Sequence, residues 1–349
     1  MRMLPSWIAC RVRRFCYPHL RKRTGDNGAQ SVKCGRPQGI SVSYRNMVAK
    51  ARYFTIKGRG MKLKTLSSKI WMPTDLREAW RLRQLLQLES HFIAGGTLWQ
   101  TKWEKGAPQP SHLISLENIK ILEAIYEKED GGQNFLHLGA LIRLADCLRH
   151  PIIKAKWPLL TKAVKTIAAP AVRNVGTIGG NVASTIGDAI PALLVMEAKI
   201  GCFDGDDIKK IDLDHWLNEE FKDDLITEIV VPEISAPPSY VHFYQKIGRR
   251  EAFSGSVVTI AGIIGQNDNG TIDFARLAAG GGENRPRRLR ITEQLLAGRK
   301  VESAMLKKVH EAVFSEFQPV GDAFFSADYR RRVAANIVIA ELKKLEEKD

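Results

Sequence analysis

Apolar positions along this chain fall into helical and alternating patterns only after Met61. Thr74 to Leu88 reads as an amphipathic helix that Thr74 or Asp75 can cap. His91 to Ala94 is a short apolar strand running into a Gly-Gly turn, and Ser111 to Ser115 is another short strand. Phe135 to Leu138 is a third, leading into a helix at Leu141 to Leu148. Pro158 to Ile167 predicts a helix stopped by Ala169-Pro170, and Asp188 to Ala198 predicts a second apolar helix. Strands follow near Ile200 to Phe203 and Ile226 to Val231.

A break then comes at Pro232, Ser235, Pro237, Pro238 and Ser239. Beyond it, Tyr240 to Ile247, Ser256 to Ile264 and Phe274 to Ala279 read as strands of a meander. The turn Asn267-Asp268-Asn269-Gly270 joins the last two. Helices at Thr292 to Ala297, Ala304 to Phe317 and Asp328 to Leu345 close the chain. The pattern predicts a mixed α+β body of two domains with a boundary near residue 235.

Composition refines this picture. No apolar run approaches the roughly 20 residues of a membrane-spanning helix, so a soluble protein is expected. The net charge of +15 is concentrated: residues 1–60 hold fourteen Lys or Arg against one acid, Asp26, and the rest is nearly neutral. That segment has too little apolar patterning to offset the entropy of ordering. It reads as an organelle-targeting segment, as a nucleic-acid-binding arm, or as untranslated sequence ahead of a true start at Met61. The third reading is favoured, because codons for Lys57-Gly58-Arg59-Gly60 can be almost entirely purine, like a ribosome-binding site. The five cysteines show neither C-x-x-C nor iron–sulfur spacing. Cys147 and Cys202 are expected as core residues in a reducing cytoplasm.

Two glycine segments stand out. Ile93-Ala94-Gly95-Gly96-Thr97-Leu98 follows a strand, where glycines let backbone N–H groups converge on a phosphate oxygen. Alone it is an ordinary tight turn. Arg173-Asn174-Val175-Gly176-Thr177-Ile178-Gly179-Gly180-Asn181 is denser, with donors suited to a pyrophosphate and its sugars. Asn174, Thr177 and Asn181 have no evident packing reason to be there. Neither segment is the G-x-G-x-x-G dinucleotide fingerprint, and no G-x-x-x-x-G-K-[ST] occurs. Arg249-Arg250-Glu251 reads as a site for an anionic cofactor or as a solvated turn, and Gly280-Gly281-Gly282 as a turn. Arg285, Arg287, Arg288 and Arg290 read as a basic surface or docking edge, and His91 and His137 as half-buried packing residues.

The run AAPAVRNVGTIGGNVAS, with AGGTL upstream, closely resembles the FAD-binding subunit of molybdenum hydroxylases, the relatives of xanthine dehydrogenase and aerobic carbon monoxide dehydrogenase. DDLITEIVVP, YQKIGRREAFSGSVV, LLAGRKV and SADYRRRVA extend the likeness from Met61 to about Leu345. It implies a two-subdomain FAD-binding domain of the vanillyl-alcohol-oxidase (PCMH) type over 61–235. A smaller α+β C-terminal domain, an antiparallel sheet plus helices, would occupy 236–349.

It also implies site residues. Ile93, Ala94, Gly95, Gly96, Thr97 and Leu98 would wrap the FAD pyrophosphate. Thr177, Ile178, Gly179, Gly180 and Asn181 would contact the pyrophosphate and ribityl region. Asp188 would accept hydrogen bonds from FAD hydroxyls, Ile226 would make an apolar contact, Lys246 would lie near the flavin, and Ile167 and Ala168 against the cofactor. The path from Asn181 to Asp188 is two residues shorter than the family pattern, which bears on the role of Asp188 and, less, of Ser184.

The implied function is electron transfer within a heteromer, from a molybdenum-cofactor subunit through a 2Fe-2S subunit to FAD and on to NAD, with no catalytic or metal-binding residue in this chain. Xanthine or hypoxanthine is the leading substrate, and carbon monoxide or an aromatic N-heterocycle the alternative. A self-sufficient flavin oxidase is one rival reading. A nucleic-acid-binding protein using the basic N-terminus is the other. The main reading has no nucleic-acid or membrane partner.

Overall fold

The computed structural model describes residues 68–219, 225–234, 240–250 and 255–346. The basic segment 1–60, the stretch 235–239 at the expected domain boundary, and Glu251 lie outside them.

The first layer holds β1 (Lys69–Trp71), α1 (Leu76–Leu86), β2 (Ser90–Ile93), α2 (Thr97–Glu104) and β3 (His112–Ser115), with the strands in a parallel sheet of order β1-β3-β2. α1 starts at a reciprocal cap. The Asp75 carboxylate accepts the Glu78 N–H at 2.8 Å, and the Glu78 carboxylate accepts the Thr74 N–H at 3.0 Å. The helix turns Ala79 inward against Ile114 and Leu116, with Leu76 and Trp80 packed beside them.

The second layer runs β4 (Ile125–Asp130), β5 (Gln133–Gly139), α3 (Leu144–Arg149), α4 (Pro151–Lys156), α5 (Pro158–Lys165), α6 (Pro170–Arg173), α7 (Ile178–Ala183), α8 (Ile190–Val195), β6 (Lys199–Phe203), β7 (Ile208–Asp212), α9 (Leu213–Asn218) and β8 (Leu225–Pro232). Its strands form an antiparallel sheet of order β4-β5-β8-β6-β7. Proline opens α4, α5 and α6 at the first helical position, where its missing N–H costs nothing.

The third layer comprises β9 (Tyr240–Gly248), β10 (Ser256–Gln266), β11 (Ile272–Gly281), β12 (Asn284–Arg288), α10 (Arg290–Leu296), α11 (Ser303–Glu316) and α12 (Ala327–Glu346), with the strands antiparallel in the order β12-β11-β10-β9. β10 is apolar along nearly its whole length because both of its faces are covered. Ile260 and Ile264 join a core with Val309, Val313, Val338 and Leu342 of the helices that follow. Ala261 and Ile263 join the core of the second layer beside Leu193 and Val195 of α8. The architecture is the expected α+β one, a three-stranded and a five-stranded sheet followed by a four-stranded antiparallel sheet with helices.

Two expectations change. Arg285 and Arg287 of β12 are exposed, as a basic edge requires, but Arg288 is buried, and its guanidinium donates to both Glu293 carboxylate oxygens at 2.6 and 2.8 Å. Arg290 pairs with Asp214 at 3.0 Å. His137 is 3% exposed rather than half-buried; its Nδ1 lies 2.7 Å from Glu228 and its ring stacks on Tyr126. The triple glycine ends β11 at Gly281 and enters the β11–β12 turn at Gly282, as its composition suggests.

Candidate FAD site

The two glycine segments meet. A Cβ on Gly95 would lie 2.1 Å from the Val175 carbonyl oxygen, so only glycine lets the first turn rest on the second segment. Gly96 takes a left-handed φ of 66° and opens α2, whose first residues are Thr97 and Leu98. Thr97 Oγ1 would be 3.3 Å from a Cβ on Gly176, which places the hydroxyl at the same seam.

The donors are distributed differently from the expectation. In the second segment most are already used. Gly176 N–H bonds to Val172, Ile178 to Ile142, Gly179 to Ala140 and Asn181 to Thr177, at 2.7 to 3.1 Å. Gly180 N–H goes to the Thr177 hydroxyl at 3.0 Å. The segment enters α7 with Thr177 as its N-cap, instead of forming an open nest. In the first segment, none of the N–H groups of Gly95, Gly96, Thr97 and Leu98 has a partner among the described residues. The first turn therefore offers the free donors and the second supplies its floor.

The polar residues of the second segment also have structural partners. Besides the Thr177 cap, the Asn181 side chain accepts the Ala189 N–H at 3.2 Å, and the Asn174 side chain accepts from Arg149 at 3.2 Å. The absence of a packing reason, inferred from the sequence, is thus corrected. Ile178 is fully buried in the core and its N–H is spent on the Ile142 carbonyl, so it offers a ligand no donor. Ile93 and Ala94 are half-buried at the end of β2, and Leu98 is exposed. Ile226 is buried on β8 opposite Cys202, where the ladder to β6 is interrupted by a bulge.

A second cluster gathers Ile167, Ala168, Asp188 and Lys246. The Lys246 ammonium lies 2.9 Å from Asp188 Oδ2 and donates to the Thr166 carbonyl at 2.9 Å. Ser256 donates to Asp188 Oδ1 at 2.6 Å, and the Tyr244 hydroxyl donates to the Asp188 carbonyl at 2.7 Å. Burial, with the Asp188 carboxylate adding to it, holds the Tyr244 phenol well above its ordinary pKa, so it stays a donor. The short path from Asn181 still delivers Asp188 to Lys246. Ala168 adopts φ 44° without being glycine, a strained conformation stabilised where Arg173 donates to the Ile167 and Ala168 carbonyls. The sequence assigns no individual role to Tyr244 or Ser256, and Arg173 stands in it only as the first residue of the glycine-rich run. Arg249 instead stacks on Phe324, its guanidinium carbon 3.2 Å from the ring centroid.

A turn with unpaired amides beside a seam that only glycine permits suits a pyrophosphate, and Asp188 retains acceptor positions for hydroxyls. Fold and donor set together fit a protein that holds a pyrophosphate-bearing cofactor. The model described as "FAD binding domain in molybdopterin dehydrogenase" matches residues 65–234, and "CO dehydrogenase flavoprotein C-terminal domain" matches residues 242–345. The chain belongs to the family of FAD-binding medium subunits of molybdenum hydroxylases.

It is 27% identical to the glyceraldehyde dehydrogenase medium chain of Sulfolobus acidocaldarius, over 72% of this chain and 89% of the relative. The nicotinate dehydrogenase FAD-subunit of Eubacterium barkeri is 26% identical, over 78% and 96%. The xanthine dehydrogenase FAD-binding subunit of Escherichia coli O157:H7 is 24% identical, over 69% and 84%. A solved carbon monoxide dehydrogenase from Hydrogenophaga pseudoflava superposes with a TM-score of 0.70 at 25% identity, over 78% of this chain and 95% of its own.

Proposed function

We propose that this chain is the FAD-carrying, electron-transferring subunit of a multi-subunit molybdenum hydroxylase. It would stand with a molybdenum-cofactor subunit and a 2Fe-2S subunit and use NAD as acceptor. The observation that carries this reading is the row of unpaired amides at Gly95 to Leu98 over the seam with Val175. Bound FAD supplies two-electron chemistry that accepts single electrons on one side and delivers hydride on the other. The residues bind and orient it. Ile93 to Leu98 hold the pyrophosphate, with Thr177 to Asn181 beneath. Asp188 takes hydroxyls, Lys246 stands near the flavin, and Ile167, Ala168 and Ile226 contact its apolar parts. The FAD domain is assigned to 61–235 and the C-terminal domain to 236–349.

Xanthine or hypoxanthine oxidation is the substrate assignment, resting on the motif likeness. Relatives named for glyceraldehyde and nicotinate are as similar, so the substrate is a property to be read from the molybdenum subunit. No helix among the described residues is long and apolar enough to cross a membrane. The reduced, buried thiol of Cys147 supports the cytoplasm as its compartment.

The test is anaerobic mixing of the complex, purified from its native host, with xanthine, nicotinate and an aldehyde in turn. One of them should bleach the flavin absorbance, and NAD should restore it. Bleaching of the isolated chain by the same substrate would contradict an electron-transfer role and favour a self-sufficient flavoenzyme.

A further inference from the structure

We propose that Ser256, on the first residue of β10, is a positioning residue for the cofactor, acting through Asp188. The inference rests on the FAD reading of the site. Ser256 is 8% exposed and carries one hydroxyl hydrogen. Its Oγ accepts the Gly282 N–H at 3.2 Å and donates to Asp188 Oδ1 at 2.6 Å, while the same N–H reaches the Ser256 carbonyl at 2.8 Å. With Gly282 on its acceptor side, the hydrogen is directed at Asp188.

The turn that presents Gly282 is itself held from below. Gly281 and Gly282 take φ of 113° and 66°, and a Cβ on Gly282 would lie 2.5 Å from the Arg330 guanidinium. Arg330 is 2% exposed, donating to the Val257 carbonyl and to Asp322. The triple glycine and the arginine-rich SADYRRRVA run therefore serve the same end. They fix Ser256, and Ser256 fixes one oxygen of Asp188 while Lys246 fixes the other at 2.9 Å.

Both anchors come from the third layer, whereas Asp188 precedes α8 in the second. A carboxylate has about four acceptor positions, and these two bonds set where the remaining ones point. Docking of the C-terminal layer thereby orients a group that binds the cofactor. Without the Ser256 hydroxyl, the Asp188 carboxylate keeps Lys246 as its one partner among the described residues and can rotate about that contact.

The experiment is titration of the full-length apoprotein with FAD, followed by quenching of flavin fluorescence and by visible circular dichroism of the bound flavin. The variants are Ser256→Ala, Ser256→Thr, Asp188→Asn and the Ser256→Ala/Asp188→Asn double. Ser256→Ala should weaken FAD binding about tenfold, the scale of one hydrogen bond to a charged group, and change the flavin dichroism. Ser256→Thr should restore binding to within about twofold of wild type. In the Asp188→Asn background, Ser256→Ala should add nothing, since the two act as one unit. Ser256→Cys, close in size but a weak donor, is read in the same way if the alanine variant does not fold. Unchanged affinity and dichroism in Ser256→Ala, or an undiminished effect beside Asp188→Asn, would overturn the inference. Failure of the wild-type apoprotein to take up FAD would instead overturn the FAD reading.

Discussion

The Val175 carbonyl oxygen lies so close to Gly95 that a Cβ at position 95 would sit 2.1 Å from it. Neither atom can yield without moving backbone, since Val175 is tied to Val172 and Gly176 to Leu144. Gly95→Ala should push the two segments apart, destabilise the apoprotein by about 1–3 kcal/mol as overpacking does, and weaken FAD binding at least tenfold. Urea unfolding and FAD titration check both. Normal FAD affinity would show that the seam is not part of the site.

Thr177 caps α7 through the Gly180 N–H at 3.0 Å. Thr177→Ala should therefore lower the unfolding free energy by about 1 kcal/mol in protein stripped of FAD, and Thr177→Ser should restore most of it. A purely cofactor-binding threonine would leave the apoprotein's urea midpoint unmoved.

Lys246 and Asp188 are 9% and 15% exposed at their side chains and 2.9 Å apart. Lys246→Met removes one partner and leaves a nearly buried carboxylate. The expected loss is about 3–5 kcal/mol, the range for breaking a buried pair from one side. Lys246→Met/Asp188→Asn should recover part of it. The double-mutant cycle in urea tests this; additive losses would mean that the pair is not coupled.

Burial pushes the Cys147 thiol up to about 12 from its ordinary 9, with Asp146 adding to the shift. The neutral form is favoured in the fold, so its stability contribution is complete below about pH 9. Between there and about 12 the unfolded chain binds fewer protons than the native one, and stability falls as pH rises. Cys147→Ala should flatten the decline of urea midpoint above pH 9 relative to wild type, beyond any constant cavity cost. Parallel curves would argue against the shift. Native Cys147 should also resist thiol reagents at neutral pH.

What the sequence revealed depended on how strongly each element needs apolar residues. Long buried elements such as β10, α11 and α12 were legible within a few residues, because one or both faces must be covered. The strands that went unseen, β1, β4, β7 and β12, all lie at sheet edges. β4 and β7 are largely exposed, so burial imposed little pattern on them. The glycine segments were found, yet their division of labour was inverted. Glycine density marks places where backbones approach, as at Gly179 against Ala140, as readily as places where donors are free. Asp188 and Lys246 were each legible through motif likeness, whereas their anchor Ser256 lies in a run whose likeness assigns it nothing.

The turn from Gly95 to Leu98, seated on Val175 to Asn181, is the proposed FAD site. The most direct measurement is the visible absorption spectrum of the purified protein, followed by titration of stripped protein with FAD and with free flavin mononucleotide. A yellow protein with the two visible flavin bands is expected, with FAD uptake at one per chain if the pyrophosphate meets the unpaired amides. Binding of the mononucleotide, which lacks the pyrophosphate, should be much weaker. A colourless protein that takes up no added FAD, or one that binds both flavins equally, would contradict the assignment.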